Sequence, residues 1–161
     1  MHELLMLVCV LIPTKGNTAA GTIVLEQKDG YCQLSGEITG LTKGDHGFHV
    51  HTFGDLRSPD GASAGGHYNP DGHQHGGPDA LEHHQGDLGN ITADANGMAK
   101  VDVKLKGVEL HALLGRSLVV HRDPDDLKTQ PAGNSGPRIA VGVIGLAEVK
   151  SPSAAAPATP K

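Results

Sequence analysis

The chain has 161 residues, a length that fits one domain built around a single hydrophobic core. Its net charge of −5, its 2% aromatic content and the lack of a basic cluster argue against a nucleic-acid-binding protein. Its apolar runs fall well short of the roughly 20 residues that a membrane-spanning helix needs, which argues against a membrane protein. The 23 glycines and 10 prolines favour short strands joined by turns.

The apolar pattern predicts eight strands, separated by turn signals such as Asp29-Gly30, and gives no convincing helix. The predicted strands cover residues 4–12, 20–27, 31–39, 45–51, 88–93, 99–105, 117–121 and 139–149, and long loops cover about 52–86 and 122–138. The first run could also be the apolar part of a signal peptide, but a strand is preferred because the run lacks a basic flank and a clear cleavage site. This pattern predicts an all-β fold, an antiparallel sandwich or barrel.

One domain is expected over residues 1–149, followed by a Pro/Ala-rich tail at 150–161 that is expected to be disordered.

The two cysteines, Cys9 and Cys32, lie in predicted strands with a third strand between them. Next-but-one strands are about 9–10 Å apart, beyond the roughly 7 Å Cα limit of a disulfide, so both cysteines are expected to be free thiols. Free thiols favour a cytoplasmic protein. A periplasmic or secreted protein is expected instead if a signal peptide was removed before this numbering begins.

Eight of the eleven histidines lie between His46 and His84, a density that needs a reason. Strand alternation places His49 and His51 on one face, where two imidazoles can hold one metal ion, and it turns His46 toward the other face. The loop that follows carries three imidazoles and one carboxylate, a tetrahedral set that suits zinc: His67, His75, His84 and Asp87. Metal coordination would also explain how so long a loop is held.

Six segments, in this order, resemble the copper/zinc superoxide dismutase family over about residues 4–149. They are GFHVHTFGD (47–55), GGHYNP (65–70), HGGP (75–78), HHQGDLGN (83–90), GRSLVVH (115–121) and GPRIAVGVIG (136–145). The resemblance implies an eight-stranded Greek-key, immunoglobulin-like sandwich or barrel with a long metal-binding loop and a shorter channel loop. It also implies an antioxidant enzyme that converts superoxide to dioxygen and hydrogen peroxide with one copper and one zinc per chain.

The resemblance assigns roles residue by residue. The implied copper ligands are His49, His51, His67 and His121. The implied zinc ligands are His67, His75, His84 and Asp87, so that His67 bridges the two metals. Arg138 is the implied residue that receives the superoxide anion, because its planar, permanently charged fork suits an anion. Asp125 is expected to hydrogen-bond His49 and His75 and so to orient both rings.

These residue types suit the implied chemistry. Imidazoles support both oxidation states of copper, which must cycle during the reaction. Zinc is redox-inert, so it is expected to hold the loop and to set the properties of His67. His67 is also expected to carry a proton, since imidazole titrates near neutrality.

The chain departs from the family where the resemblance places a disulfide between the long loop and the last strand. The two cysteine positions are Gly61 and Val141 in this chain. We therefore expect loop order to depend more heavily on zinc. The loop at 122–138 is also shorter than in the animal and plant members, so electrostatic steering of the substrate is expected to be weaker.

The remaining histidines have plainer interpretations. His46 and His111 are expected to be structural, and His73 and His83 to be exposed loop residues. His83 and His73 could replace His84 and His75 as zinc ligands, but the sequence contexts H-x-G-D and H-G-G-P favour the latter pair.

Two other functions compete with the enzyme. The first is a non-enzymatic member, such as a copper-chaperone-like module, and the second is a zinc-only structural sandwich. The presence of all the implied copper ligands and of Arg138, without a Cys-x-x-Cys motif, favours the enzyme. Superoxide is the expected substrate, a homodimer through patches at Phe53-Gly54 and Leu114-Gly115 is expected, and a copper-loading chaperone is a possible partner.

Overall fold

The computed structural model describes residues 5–149, and the predicted tail at 150–161 lies outside the described residues. Eight strands form one closed antiparallel barrel in the order β1-β2-β3-β6-β5-β4-β7-β8. Their bounds are β1 Met6–Pro13, β2 Ala20–Lys28, β3 Tyr31–Thr39, β4 Gly44–His51, β5 Asp87–Ala93, β6 Ala99–Lys106, β7 Ser117–His121 and β8 Arg138–Leu146. The predicted all-β class, the strand count and the antiparallel barrel are confirmed.

Most strand ends agree with the prediction within two residues, and three larger details differ. The last strand ends at Leu146 rather than at residue 149, and the connection before β7 contains a four-residue helix, α1 (Leu110–Leu113). A 3₁₀ turn also covers Ala62–Ala64 in the first long loop. Elements of three or four residues span about one turn, too little for a helical period to show in the sequence.

Alternation along the strands builds the main core inside the barrel. In β1, Leu7, Cys9 and Leu11 are buried, while Val10 between them is exposed. The first apolar run is therefore a barrel strand, as preferred from the sequence. Phe48 and Val50 of β4 also belong to this core.

A second, smaller cluster lies on the opposite face of β7 and β8. It consists of Ala64, Val119 and Val141, with Leu56 packed against them. The first long loop thus covers the outer face of these strands. Because β4 pairs with β7, His49 lies opposite Val119 and His51 opposite Ser117. The loop and the outward face of β4 therefore enclose the region where the predicted site residues lie.

Candidate metal centre

Four histidines bring their ring nitrogens together on the outer face of the barrel. Two lie on β4, one ends β7, and one lies in the first long loop. We call this set the four-histidine group: His49, His51, His67 and His121. All four are buried, and their candidate ligand atoms lie within 4.8 Å of one another. Three of the four therefore sit on barrel strands whose register fixes their position.

Each ring in this group is oriented through one of its nitrogens. His51 Nδ1 lies 2.8 Å from the Gly65 carbonyl oxygen, and His121 Nδ1 lies 3.0 Å from the Gly136 carbonyl oxygen. His49 Nε2 lies 2.8 Å from Asp125 Oδ2. An imidazole that donates from one nitrogen presents a lone pair on the other. The rings are thus held as neutral ligands whose free nitrogens face one another.

Two of the inward-facing nitrogens are buried but have no hydrogen-bond partner among residues 5–149. They are His49 Nδ1 and His67 Nε2. A buried polar atom without a partner is costly and needs an explanation. A metal ion between the four rings would satisfy both atoms, so the donor set fits copper.

A second group lies mainly in the first long loop and contains His67, His75, His84 and Asp87; we call it the aspartate group. Asp87 Oδ1 lies 2.8 Å from His67 Nδ1, 3.0 Å from His75 Nδ1 and 3.2 Å from His84 Nδ1. Ligand bonds of about 2.0–2.1 Å around a tetrahedral zinc ion give a donor spacing of about 3.3 Å. The three imidazoles and one carboxylate fit zinc in both number and spacing.

Asp125 joins the two groups from the second loop. Its Oδ1 lies 2.8 Å from His75 Nε2, while its Oδ2 contacts His49 as described above. The Gly133 backbone packs against the same carboxylate, so a Cβ at that position would clash with Asp125 and with His75 Nε2. The predicted double hydrogen bond of Asp125 is therefore present, and the loop closes tightly over it.

Burial and neighbouring charges set the protonation of these rings. Burial lowers the pKa of His49 to about 4 and that of His121 to about 3. Burial would also lower the pKa of His75, but hydrogen bonds to Asp125 and Asp87 outweigh it and raise that pKa to about 9. His49 and His121 are therefore neutral at neutral pH, whereas a metal ion at His75 must displace a proton.

Arg138 begins β8 beside the four-histidine group. Its backbone pairs with His121, and its Nη1 donates a hydrogen bond of 2.8 Å to the Gly61 carbonyl oxygen. The side chain is half-buried and lines a cavity of about 360 Å³ together with Thr14, Lys15 and Asp60. Arg138 thus pairs with one candidate ligand through its backbone and contributes to a cavity whose lining includes none of the candidate ligands.

The two positions where the resemblance implies a disulfide are adjacent in space. A Cβ on Gly61 would lie 3.0 Å from Val141 Cγ1. Both cysteines of the chain are buried and free, as predicted, with Cys9 on β1, Cys32 on β3 and β2 between them. In place of a disulfide, Val141 packs in the small apolar cluster with Ala64 and Leu56 of the first long loop.

Sequence reasoning missed several groups that hold the site together. Asn90 donates to the Asp125 carbonyl oxygen and accepts from its N–H, at 3.0 and 2.7 Å. Gln130 forms the same kind of pair with the backbone of His75, at 2.8 and 2.7 Å. Asn90 ends the matched segment HHQGDLGN but was assigned no role, Gln130 lies outside the matched segments, and the carbonyls of Gly65 and Gly136 carry no side-chain signal.

The other histidines within residues 5–149 lie outside both groups. His46 is buried, and its Nδ1 lies 2.8 Å from the His121 carbonyl oxygen, in accord with the structural role predicted for it. His73 is exposed as predicted, whereas His83 is half-buried. His111 is exposed on α1, so its burial does not support the structural role predicted for it.

The fold and the site define a barrel-shaped metalloprotein with two adjacent histidine-rich centres that share one ring. The model of the copper/zinc superoxide dismutase family matches residues 19–144. The extracellular copper/zinc superoxide dismutase of Onchocerca volvulus is 46% identical over 146 residues, which cover 81% of this chain and 71% of that relative. The chain belongs to the copper/zinc superoxide dismutase family.

Family membership confirms the prediction of an enzyme over the two non-enzymatic alternatives. The protein is an oxidoreductase that dismutes superoxide, and its cofactors are copper and zinc. Among residues 5–149, we find no helix that is both long and apolar enough to cross a membrane.

Proposed function

We propose that the four-histidine group holds the copper ion and the aspartate group holds the zinc ion, with His67 shared between them. The observation that carries this proposal is the pair of buried, unpartnered nitrogens, His49 Nδ1 and His67 Nε2, within a ring of inward-facing imidazoles. His67 supports the bridge because its Nδ1 lies in the aspartate group while its Nε2 faces the other group.

The bound copper supplies one-electron redox chemistry, and the bound zinc supplies fixed charge without redox change. The chain positions the substrate and delivers protons. Arg138 attracts the superoxide anion through its permanent charge; one of its nitrogens is held by Gly61, which leaves the others available for the anion. When copper is not bound to it, His67 Nε2 is the atom at which the chain can hold a proton for the product, because it has no hydrogen-bond partner among residues 5–149.

Metal content and turnover test the ligand assignment together. We expect one copper and one zinc per chain, and we expect His121→Ala to lose copper and more than about 100-fold in turnover, because even residues behind the ligands contribute 10–100-fold. The matched control is His111→Ala, which removes an exposed histidine outside both groups. Retention of full copper and full turnover by His121→Ala would reject the assignment.

We also propose that the enzyme forms a homodimer through an apolar patch made of the outer face of β1 and β8 and of the loop residues Phe53 and Leu114. Phe53 is 57% exposed and Leu114 is 44% exposed, and Val10, Ile12 and Val143 are exposed as well. Exposed apolar patches of this kind mark interaction surfaces. Sedimentation should give a dimer for the wild type and a monomer for Phe53→Glu. Leu81→Glu, at a fully exposed loop leucine outside the patch, should remain dimeric.

A dimer that survives Phe53→Glu would contradict this surface.

We place the enzyme in a reducing compartment, because its fold holds its long loop without a disulfide. The relative from Onchocerca volvulus is named as extracellular, so secretion is the alternative, and fractionation of the source cells distinguishes the two.

We also propose that a separate chaperone loads the copper ion. This proposal predicts full copper occupancy only when that partner is co-expressed.

A further inference from the structure

The turn between β1 and β2 makes contacts with the start of β8 that are long-range in sequence. Thr14 is 6% exposed, and its hydroxyl donates a hydrogen bond of 2.8 Å to the Arg138 carbonyl oxygen. Its backbone N–H donates to the Ile139 carbonyl oxygen at 3.1 Å. Both bonds fix the backbone from which the Arg138 side chain projects.

The same turn also holds the first long loop. The backbone N–H of Lys15 donates to the Pro59 carbonyl oxygen at 2.9 Å. Pro59 lies two residues before Gly61, whose carbonyl oxygen accepts the hydrogen bond from Arg138 Nη1. The turn therefore supports the guanidinium from both sides, through the backbone of Arg138 and through the loop segment that accepts its side chain.

The Thr14 hydroxyl is oriented by a neighbour. Asn17 Nδ2 donates to Thr14 Oγ1 at 2.8 Å, and the Asn17 N–H donates to the Thr14 carbonyl oxygen at 3.0 Å. A hydroxyl has one hydrogen and can accept through its lone pairs. Since Asn17 occupies an acceptor position, the hydroxyl hydrogen points to the Arg138 carbonyl.

We propose that Thr14 is a positioning residue for Arg138, and that residues 14–17 join the first long loop to β8 by hydrogen bonds. This linkage runs beside Gly61 and Val141, where the chain has no disulfide. The inference rests on the proposed role of Arg138 in binding the anion. Thr14 lies in the β1–β2 turn, distant in sequence from both ligand groups. By positioning Arg138, it would affect the dismutation of superoxide.

The test compares Thr14→Val, which keeps the side-chain shape but removes the hydroxyl, with Thr14→Ser, which restores it. Thr18→Val is the matched control, because it removes a threonine-to-carbonyl bond of 2.9 Å to Gly40, away from Arg138. Two quantities are measured. One is the rate at which phenylglyoxal modifies Arg138, followed by peptide mass spectrometry in both metal-free and metal-loaded protein. The other is kcat/KM per bound copper.

We expect Thr14→Val to raise the modification rate about threefold and to lower kcat/KM about five- to tenfold at unchanged copper content. A misplacement of about 1 Å can lower rates about 100-fold, and the loss of one backbone contact should displace Arg138 by less than that. Thr14→Ser and Thr18→Val should both behave as the wild type. An unchanged Thr14→Val protein, or an equal effect from Thr18→Val, would overturn the inference.

Arg138→Ala separates this inference from the proposed function on which it rests. If Arg138→Ala leaves kcat/KM unchanged, the proposed role of Arg138 is wrong, and Thr14 has no catalytic side chain to position. If Arg138→Ala lowers kcat/KM and Thr14→Val does not, only the inference about Thr14 is wrong. If Thr14→Val does not fold, Asn17→Ala removes the exposed donor instead. It should then raise the modification rate about twofold, and a wild-type rate would overturn the inference.

Discussion

The two ligand groups are held by different parts of the chain. Three members of the four-histidine group lie on β4 and β7, whose hydrogen-bonded register fixes them without a metal. The aspartate group draws three of its members from the first long loop, and only Asp87 lies on a strand. The barrel therefore preorganises the proposed copper site, whereas the proposed zinc site is formed by a segment that zinc itself must order.

Removal of zinc tests this difference most strongly. A ligand present at a thousandfold excess over its Kd stabilises the folded state by about 4 kcal/mol. For a chain of this size, that stabilisation corresponds to a rise of about 8–16 °C in Tm. We expect such a rise between metal-free and zinc-loaded protein in calorimetry, with proteolysis of the metal-free form confined to residues 52–86. Equal melting midpoints would show that the loop is ordered by packing alone.

Asp125→Asn should weaken both groups because Asp125 contacts a ring in each. The carboxylate accepts from His49 Nε2 and from His75 Nε2, but an asparagine amide has only one oxygen and must turn its NH₂ toward one ring. We expect zinc affinity to fall about 10–100-fold in chelator competition, as for other residues behind metal ligands. Asp126→Asn, at an exposed neighbour, is the control. Unchanged zinc affinity would mean that the loop holds His75 without Asp125.

Gly61→Ala should separate backbone strain from crowding near Arg138. Gly61 has φ +81°, where a side chain costs about 1–2 kcal/mol. Gly30 has nearly the same φ, +83°, but open space around it, so Gly30→Ala carries the strain alone. In chemical denaturation we expect Gly61→Ala to be the less stable of the two. Only Gly61→Ala should lower kcat/KM, because its Cβ lies 3.3 Å from the Arg138 side chain. Equal stability and equal turnover would remove the crowding argument.

The smallest expected effect concerns the two buried thiols. We expect the rate at which they are alkylated to be the same with and without zinc. Burial raises the pKa of Cys9 to about 12 and that of Cys32 to about 11, so both stay protonated at pH 8. Both lie inside the barrel, and we expect slow alkylation in metal-free and zinc-loaded protein alike, followed by mass spectrometry. Fast alkylation in the metal-free form alone would show that loss of zinc opens the barrel as well as the loop.

Strand alternation and ligand spacing predicted the parts of this molecule that follow local rules. His49 and His51 could be placed on one face because side chains alternate along a strand. The contacts of Thr14 with Arg138 and of Gln130 with His75 could not be predicted. They join residues that are 124 and 55 positions apart, and one partner is a backbone group that any residue could supply. Helix α1 was missed because four residues are too few to show a period.

His67 and Asp125 each contact both groups, so the two binding equilibria are thermodynamically linked. If bound zinc changes the affinity for copper by some factor, bound copper changes the affinity for zinc by the same factor. Zinc that orders the loop also places His67 against the strand-borne rings, so zinc-loaded protein should be the tighter acceptor of copper. The order of metal addition then determines how quickly the holoenzyme assembles, but the final distribution of metals is the same by either route.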